Sequence, residues 1–159
     1  MVDHVRGGRG TMRETNLAII WPTVAMAALI FAVWAVLLRQ RFAHIAANRP
    51  VAADFANAEA VGRYFRPVER PAQNLANLFE MPVLYFALVP LLIVTGSASG
   101  IQVGLAWAFV ALRLVHSIIQ IGPNTIRARA RVFIASSVVL FAMWLGFVVD
   151  ILPNTGARM

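Results

Sequence analysis

No cysteine occurs anywhere in the 159 residues. A disulfide framework, a thiolate metal site and a cysteine nucleophile are therefore excluded, and any thiol chemistry has to arrive with a bound ligand. Lysine is absent too, so all fourteen basic residues are arginines, set against seven acidic ones. Histidine is scarce: His4, His44 and His116 are too scattered for a zinc-ligand spacing, and no metal site is expected. Charge as a whole is thin. Only 13% of the residues are charged while 60% are hydrophobic, and the mean hydropathy is +0.72. A soluble globule of this length needs more polar surface than that, so the chain belongs in a bilayer. An internal repeat and a low-complexity tract are also missing.

What is present is a set of long apolar runs. About 20 apolar residues cross the hydrocarbon core as a helix, and four segments qualify: about 17–38, 72–96, 101–121 and 130–152. The first run continues unbroken from Leu17 to Leu38, too long for a signal-peptide core, and Trp21 and Trp34 sit near its ends as interfacial anchors do. Residues 1–13, with Gly7, Gly8 and Gly10, read as a disordered tail. Met12 is an alternative start of translation; an intact mass that includes Val2 would dismiss it.

The second segment carries Gln73, Asn74, Asn77 and Glu80 in its first turns and reads as one helix entering the membrane polar end first, with kinks at Pro82 and Pro90. Between the first two spans, Ala52 to Tyr64 reads as a short interfacial helix. The linker Thr95 to Gly100 is a tight turn that makes spans two and three antiparallel neighbours.

Arginine placement sets the topology. Arg39, Arg41, Arg49, Arg63, Arg66 and Arg70 follow span one, and Arg127, Arg129 and Arg131 precede span four. The opposite side holds Arg6, Arg9, Arg13 and Arg158. By the positive-inside bias both Arg-rich loops are cytoplasmic and both termini lie outside. The pI of about 11.6 is explained by these flanking arginines, so no nucleic-acid partner is expected.

One charge stands inside a span. Arg113 lies mid-run, and an intramembrane charge is costly unless it faces a partner or a wet cavity. At about 100° per residue, His116 falls about 60° behind Arg113, Gln120 about 20° behind, and Asn124 about 20° ahead if the helix runs that far. Asn74, Asn77 and Glu80, spaced by three, share a stripe on span two. Counting about 1.5 Å per residue places Glu80 and Arg113 at similar depth, which predicts a Glu80–Arg113 ion pair. The plain alternatives are that this pair is a structural clamp, that Asn74, Asn77 and Gln120 are interhelical glue, that His116 is a packed core histidine, and that Arg127, Arg129 and Arg131 are topology signals. Seven polar groups converging on one face exceed what holding four helices together requires.

The run Gln73-Asn74-Leu75-Ala76-Asn77-Leu78-Phe79-Glu80-Met81-Pro82-Val83-Leu84-Tyr85-Phe86, followed by Arg113-Leu114-Val115-His116 and the arginine cluster opening span four, resembles the MAPEG family, the membrane-associated proteins of eicosanoid and glutathione metabolism. The resemblance covers about residues 14–152. It implies an all-α four-transmembrane-helix bundle assembled as a homotrimer, with glutathione bound between subunits near the cytoplasmic face as thiol co-substrate. It further implies that Arg70, Asn77, Glu80, Arg113 and His116 bind that ligand and that Arg129 or Arg127 stabilises its thiolate; Asn74 and Gln120, which share the same polar stripes, are expected to join the binding residues. Lipophilic electrophiles would arrive from the bilayer, giving a glutathione-dependent transferase or peroxidase activity. Two departures stand out: Gln120 occupies the place of a tyrosine found in several catalytic members, and the acidic residue sits two positions before the proline. The same cleft would also serve a noncatalytic trimer that binds an anionic lipid or scaffolds a partner. A small ion-coupled transporter is disfavoured by the lack of inverted repeats.

Overall fold

The computed structural model describes residues 17–156, so the expected 1–13 tail and the alternative start at Met12 lie outside the described residues. Among the described residues six α-helices are delimited, in chain order: α1 Ile20–Ala47, α2 Ala58–Phe65, α3 Arg70–Leu78, α4 Met81–Thr95, α5 Gly100–Ile121 and α6 Ile126–Gly156. Short 3-10 turns, Ala52–Phe55 and Arg66–Val68, flank α2. Four segments are long and apolar enough to span a membrane: Ile20–Ala47, Arg70–Thr95, Gly100–Ile121 and Ile126–Leu152. The protein is thus an all-helical, multi-pass membrane protein, as its composition required.

Two expectations need correction. The second span is two helices, not one: α3 ends in a tight turn where Phe79 N–H donates to the Ala76 carbonyl at 2.9 Å, and Glu80, with φ −87° and ψ −87°, is not helical. Pro82 accounts for the break, because it has no N–H to give the Leu78 carbonyl and its ring would strike that carbonyl in a continuous helix. Pro90 by contrast lies inside α4, which runs on through it. The interfacial segment is likewise split. Asn57 caps α2, its Oδ1 accepting from Ala60 N–H at 2.9 Å, so the preceding residues turn separately as 3-10.

The turn between α4 and α5 is set by chemistry at both ends. Gly96 takes φ 70°, a left-handed conformation that glycine adopts without penalty, and Gly96 N–H and Ser97 N–H bond back to the Ile93 and Leu92 carbonyls. Ser99 then starts α5, its Oγ accepting from Gln102 N–H.

In a bilayer, lipid is as apolar as leucine, so helices associate through close packing and interhelical hydrogen bonds. Here Met26, Leu29 and Val33 of α1, Tyr85, Leu88 and Leu92 of α4, Phe109 of α5, and Leu140, Met143 and Phe147 of α6 form one buried core. Tyr85 and Phe109 stack at 5.2 Å. Thr23 donates its hydroxyl hydrogen to the Ile19 carbonyl at 2.9 Å, so the Tyr85 hydroxyl, 3.0 Å away, donates to Thr23. Beyond the apolar length of α1, His44 packs edge-on to Tyr64 at 4.9 Å, and Arg41 lies over Phe65 at 4.8 Å, which fastens α2 against the end of α1.

Candidate functional site

The polar stripe of α5 is buried. Arg113 is 0% exposed, and His116, Ser117 and Gln120 are each 2% exposed. Residues at i, i+3, i+4 and i+7 share one helix face, and that face meets α3 and the beginning of α6. The expected Glu80–Arg113 ion pair does not form. The break at Phe79–Glu80 leaves Glu80 exposed, and Arg113 Nη2 donates instead to the Asn77 carbonyl, close to the C-terminus of α3. The last carbonyls of a helix have no intrahelical donor and carry the negative end of its dipole, so a guanidinium there serves as cap and counter-charge together. The Arg113 guanidinium also lies 5.4 Å from the centre of the Phe133 ring.

Arg70 does the reciprocal service. Standing at the start of α3, it donates through Nη1 to the Gly122 carbonyl at 2.7 Å, at the C-terminal end of α5. The antiparallel pair α3 and α5 thus exchanges arginines, each helix capping the other. Neither role is visible in a residue pattern, because both acceptors are backbone atoms.

A chain of hydrogen bonds leads from this buried layer outward. Asn77 Nδ2 donates to Gln120 Oε1 at 2.9 Å, and His116 Nε2 lies 2.9 Å from the same oxygen. His116 Nδ1 is 3.3 Å from the Arg129 carbonyl, and Arg129 Nη1 donates to Asn124 Oδ1 at 3.0 Å. Ser117 Oγ donates to Asn74 Oδ1 at 3.3 Å, holding Asn74, itself 0% exposed, against α5. Asn124 does not extend α5. It takes φ 51° in the turn after Pro123, a left-handed conformation that asparagine tolerates better than most residues.

On the outer side of this chain a cleft of about 380 Å³ opens between the α3–α4 break and α6. That size falls in the range of roughly 300–1,000 Å³ typical of small-molecule sites. Its polar lining is Asn77, Glu80, His116 and Arg129, and its apolar lining is Ile126, Ala130, Phe133 and Ile134. The nine residues singled out from the sequence therefore fall into three groups. Asn77, Glu80, His116 and Arg129 share the cleft. Asn74, Arg113 and Gln120 stand behind it, fully buried. Arg70 and Arg127 are exposed and outside its lining, Arg70 being engaged with α5. Because α6 begins at Ile126, all three arginines of the cluster lie in its first two turns, and only Arg129 lines the cleft.

Sequence reasoning missed Phe133, which floors the cleft, sits over Arg113 and lies 5.7 Å from His116. The signal was available: Phe133 follows Arg129 by four and so shares its face of α6. Ser117 could be found the same way, four residues after Arg113. Asn124 could not, since its role follows from the geometry of a turn.

The arrangement can hold a ligand that carries both signs of charge. Arg129 offers a guanidinium fork, Glu80 a carboxylate for a cationic group, and Asn77 and His116 hydrogen-bonding edges, all against an apolar wall. The MAPEG family model matches residues 19–149 of the chain. No curated protein matches it, and neither does any solved structure.

Proposed function

The chain belongs to the MAPEG family, and from that premise we propose that it is an integral membrane, glutathione-dependent transferase or peroxidase acting on hydrophobic electrophiles. The observation that carries the reading is the cleft whose lining combines Arg129 and Glu80, of opposite charge, with Asn77, His116 and an apolar wall. Glutathione has two carboxylates, an ammonium group and a thiol. Glu80 suits the ammonium; exposed Arg70, whose second nitrogen is spare, suits a carboxylate at the rim; Arg129 suits the thiolate. A guanidinium beside a low-dielectric wall favours the ionised sulfur, the form that attacks an electrophile or a peroxide. Arg113, Asn74 and Gln120 act from behind, by fixing the α3–α4 break and the orientation of His116.

The proposal includes a homotrimer with the ligand site completed by a neighbouring subunit, Arg-rich loops on the cytoplasmic side, both termini opposite, and a lipophilic co-substrate entering from the bilayer. Family membership supports the first and last; the arginine distribution supports the topology.

The test is an ultraviolet difference titration of detergent-purified protein with glutathione. A saturable thiolate band is expected, lost in Arg129→Ala and retained in Arg127→Ala. A wild-type protein that binds no glutathione and shows no band would sink the enzyme reading and leave the noncatalytic one, in which the cleft takes an anionic lipid headgroup. A band that survives Arg129→Ala would remove that arginine from the mechanism.

A further inference from the structure

In the turn between α5 and α6 the backbone and the side chain of Asn124 do separate work. The backbone takes φ 51°, a conformation that costs most side chains energy, and its N–H bonds back to the Ile119 carbonyl at 2.7 Å, closing the end of α5. A glycine would serve that turn at least as well. The amide is therefore more than the turn requires, and it is engaged: Oδ1 accepts from Arg129 Nη1 at 3.0 Å, across the first turn of α6. A guanidinium has donors only, so the amide has to present its oxygen.

What this contact achieves depends on the arginine it holds. Arginine is long and rich in rotamers, and beside an open cleft its charge is spread over many positions unless something fixes it. Arg127 and Arg131, its companions in the first two turns of α6, are exposed, whereas Arg129 is half-buried and lines the cleft. Arg129 is fixed twice. Its carbonyl accepts from His116 Nδ1 at 3.3 Å, and its guanidinium is tied at Nη1 by Asn124. Among the described residues Nε and Nη2 have no hydrogen-bond partner, which leaves them for a ligand.

We propose that Asn124 is a positioning residue for Arg129: it holds the guanidinium at the cleft so that the remaining N–H groups meet the sulfur of a bound thiol. The assignment rests on the reading of the cleft as a glutathione-class site. Asn124 is not part of the cleft lining and acts only through the arginine. The thiol gives its proton to solvent, the electron pair stays on sulfur, and Arg129 remains protonated throughout. A cation already in place stabilises that negative charge without first having to be ordered, and this is the advantage the tether supplies. It also separates Arg129 from Arg127, which the spacing of the arginine cluster leaves as equals.

The turn supplies the variant that tests this. Asn124→Gly keeps a residue suited to the left-handed conformation and removes only the amide. Wild-type and variant proteins are titrated with glutathione at several pH values while thiolate absorbance is followed. Both are also titrated by calorimetry with S-methylglutathione, whose sulfur has no proton to lose. The variant is expected to show a thiolate fraction about tenfold lower at the same pH, the equivalent of about one pKa unit and the scale of a lost hydrogen bond to a charged group. It is expected to bind S-methylglutathione as tightly as the wild-type protein does. An unchanged thiolate fraction would overturn the assignment and leave Asn124 as a turn residue, with thiol activation intact. Loss of thiolate together with an equal loss of S-methylglutathione affinity would also overturn it, because the whole cleft would then have been disturbed. No thiolate absorbance in the wild-type protein would instead overturn the reading on which the assignment rests.

Discussion

Two buried amides of α5, Gln102 in its first turn and Gln120 in its last, meet the same demand with different outcomes. Both side chains are almost inaccessible, 3% and 2% exposed. Gln102 Nε2 donates to the Met143 carbonyl of α6 at 3.0 Å, and Gly146 lies so close that a β-carbon there would sit 2.9 Å from the same nitrogen. Among the described residues no charged side chain bonds to that amide, which ties two helices. Gln120 receives Asn77, orients His116 and backs onto a cleft that holds Arg129 and Glu80. A buried polar side chain in a membrane span is thus a weak mark of function by itself. What separates the two ends of α5 is charge within reach and an open cleft beside it.

The comparison is sharpest at the charges. Arg129→Ala is expected to reduce thiol-dependent turnover about 100-fold or more, the scale seen when one preorganised stabilising donor is removed, whereas Gln102→Leu should leave turnover within about twofold. Equal losses would show that α5 has no functional end and that both variants act through the fold.

Next in size is the cap. Arg113→Ala removes the donor to the Asn77 carbonyl and opens a cavity beside Phe133, and should cost roughly 2–4 kcal/mol of stability. Arg113→Met fills the space without the charge, so its loss should be smaller, since an apolar replacement of similar volume also escapes the burial penalty of the guanidinium. Unfolding by denaturant in a fixed detergent would rank them; a Met variant less stable than the Ala variant contradicts this account. Gln120→Leu, which orphans one donor on Asn77 and a partner of His116, should follow at about 1–3 kcal/mol.

How far this was legible in the sequence differs by level. Four spans followed from composition and run length, because a bilayer imposes one length scale on every crossing helix. The stripe of Arg113, His116 and Gln120 followed from helical periodicity, and the structure buries all three on one face. The Glu80–Arg113 pairing failed for a local reason: it assumed a continuous helix, and Pro82, two residues after Glu80, breaks the span into α3 and α4 at Phe79–Glu80. Asn74 and Asn77, which precede the break, still face α5: Asn77 meets Gln120 of the predicted stripe, while Asn74 meets Ser117, which the sequence reading passed over. Arg70 illustrates the other limit. Its partner is the carbonyl of Gly122, and a backbone acceptor 52 residues away leaves no trace in side-chain spacing.

The smallest effect tests the quiet end of α5. Gly146→Ala places a methyl group 2.9 Å from the Gln102 amide nitrogen, the far end of a flexible side chain, so the amide can swing aside while the helices stay in place. The loss is then that of one interhelical hydrogen bond, about 0.6 kcal/mol on average in membrane bundles and up to about 1.7, with thiolate formation unaffected. A loss well above this would mean that α5 and α6 have to separate to admit the methyl group, and since Arg129 and Phe133 are carried by α6, such a separation should also weaken thiol binding. Stability and thiolate absorbance measured on this one variant therefore report whether the two ends of the bundle are mechanically independent.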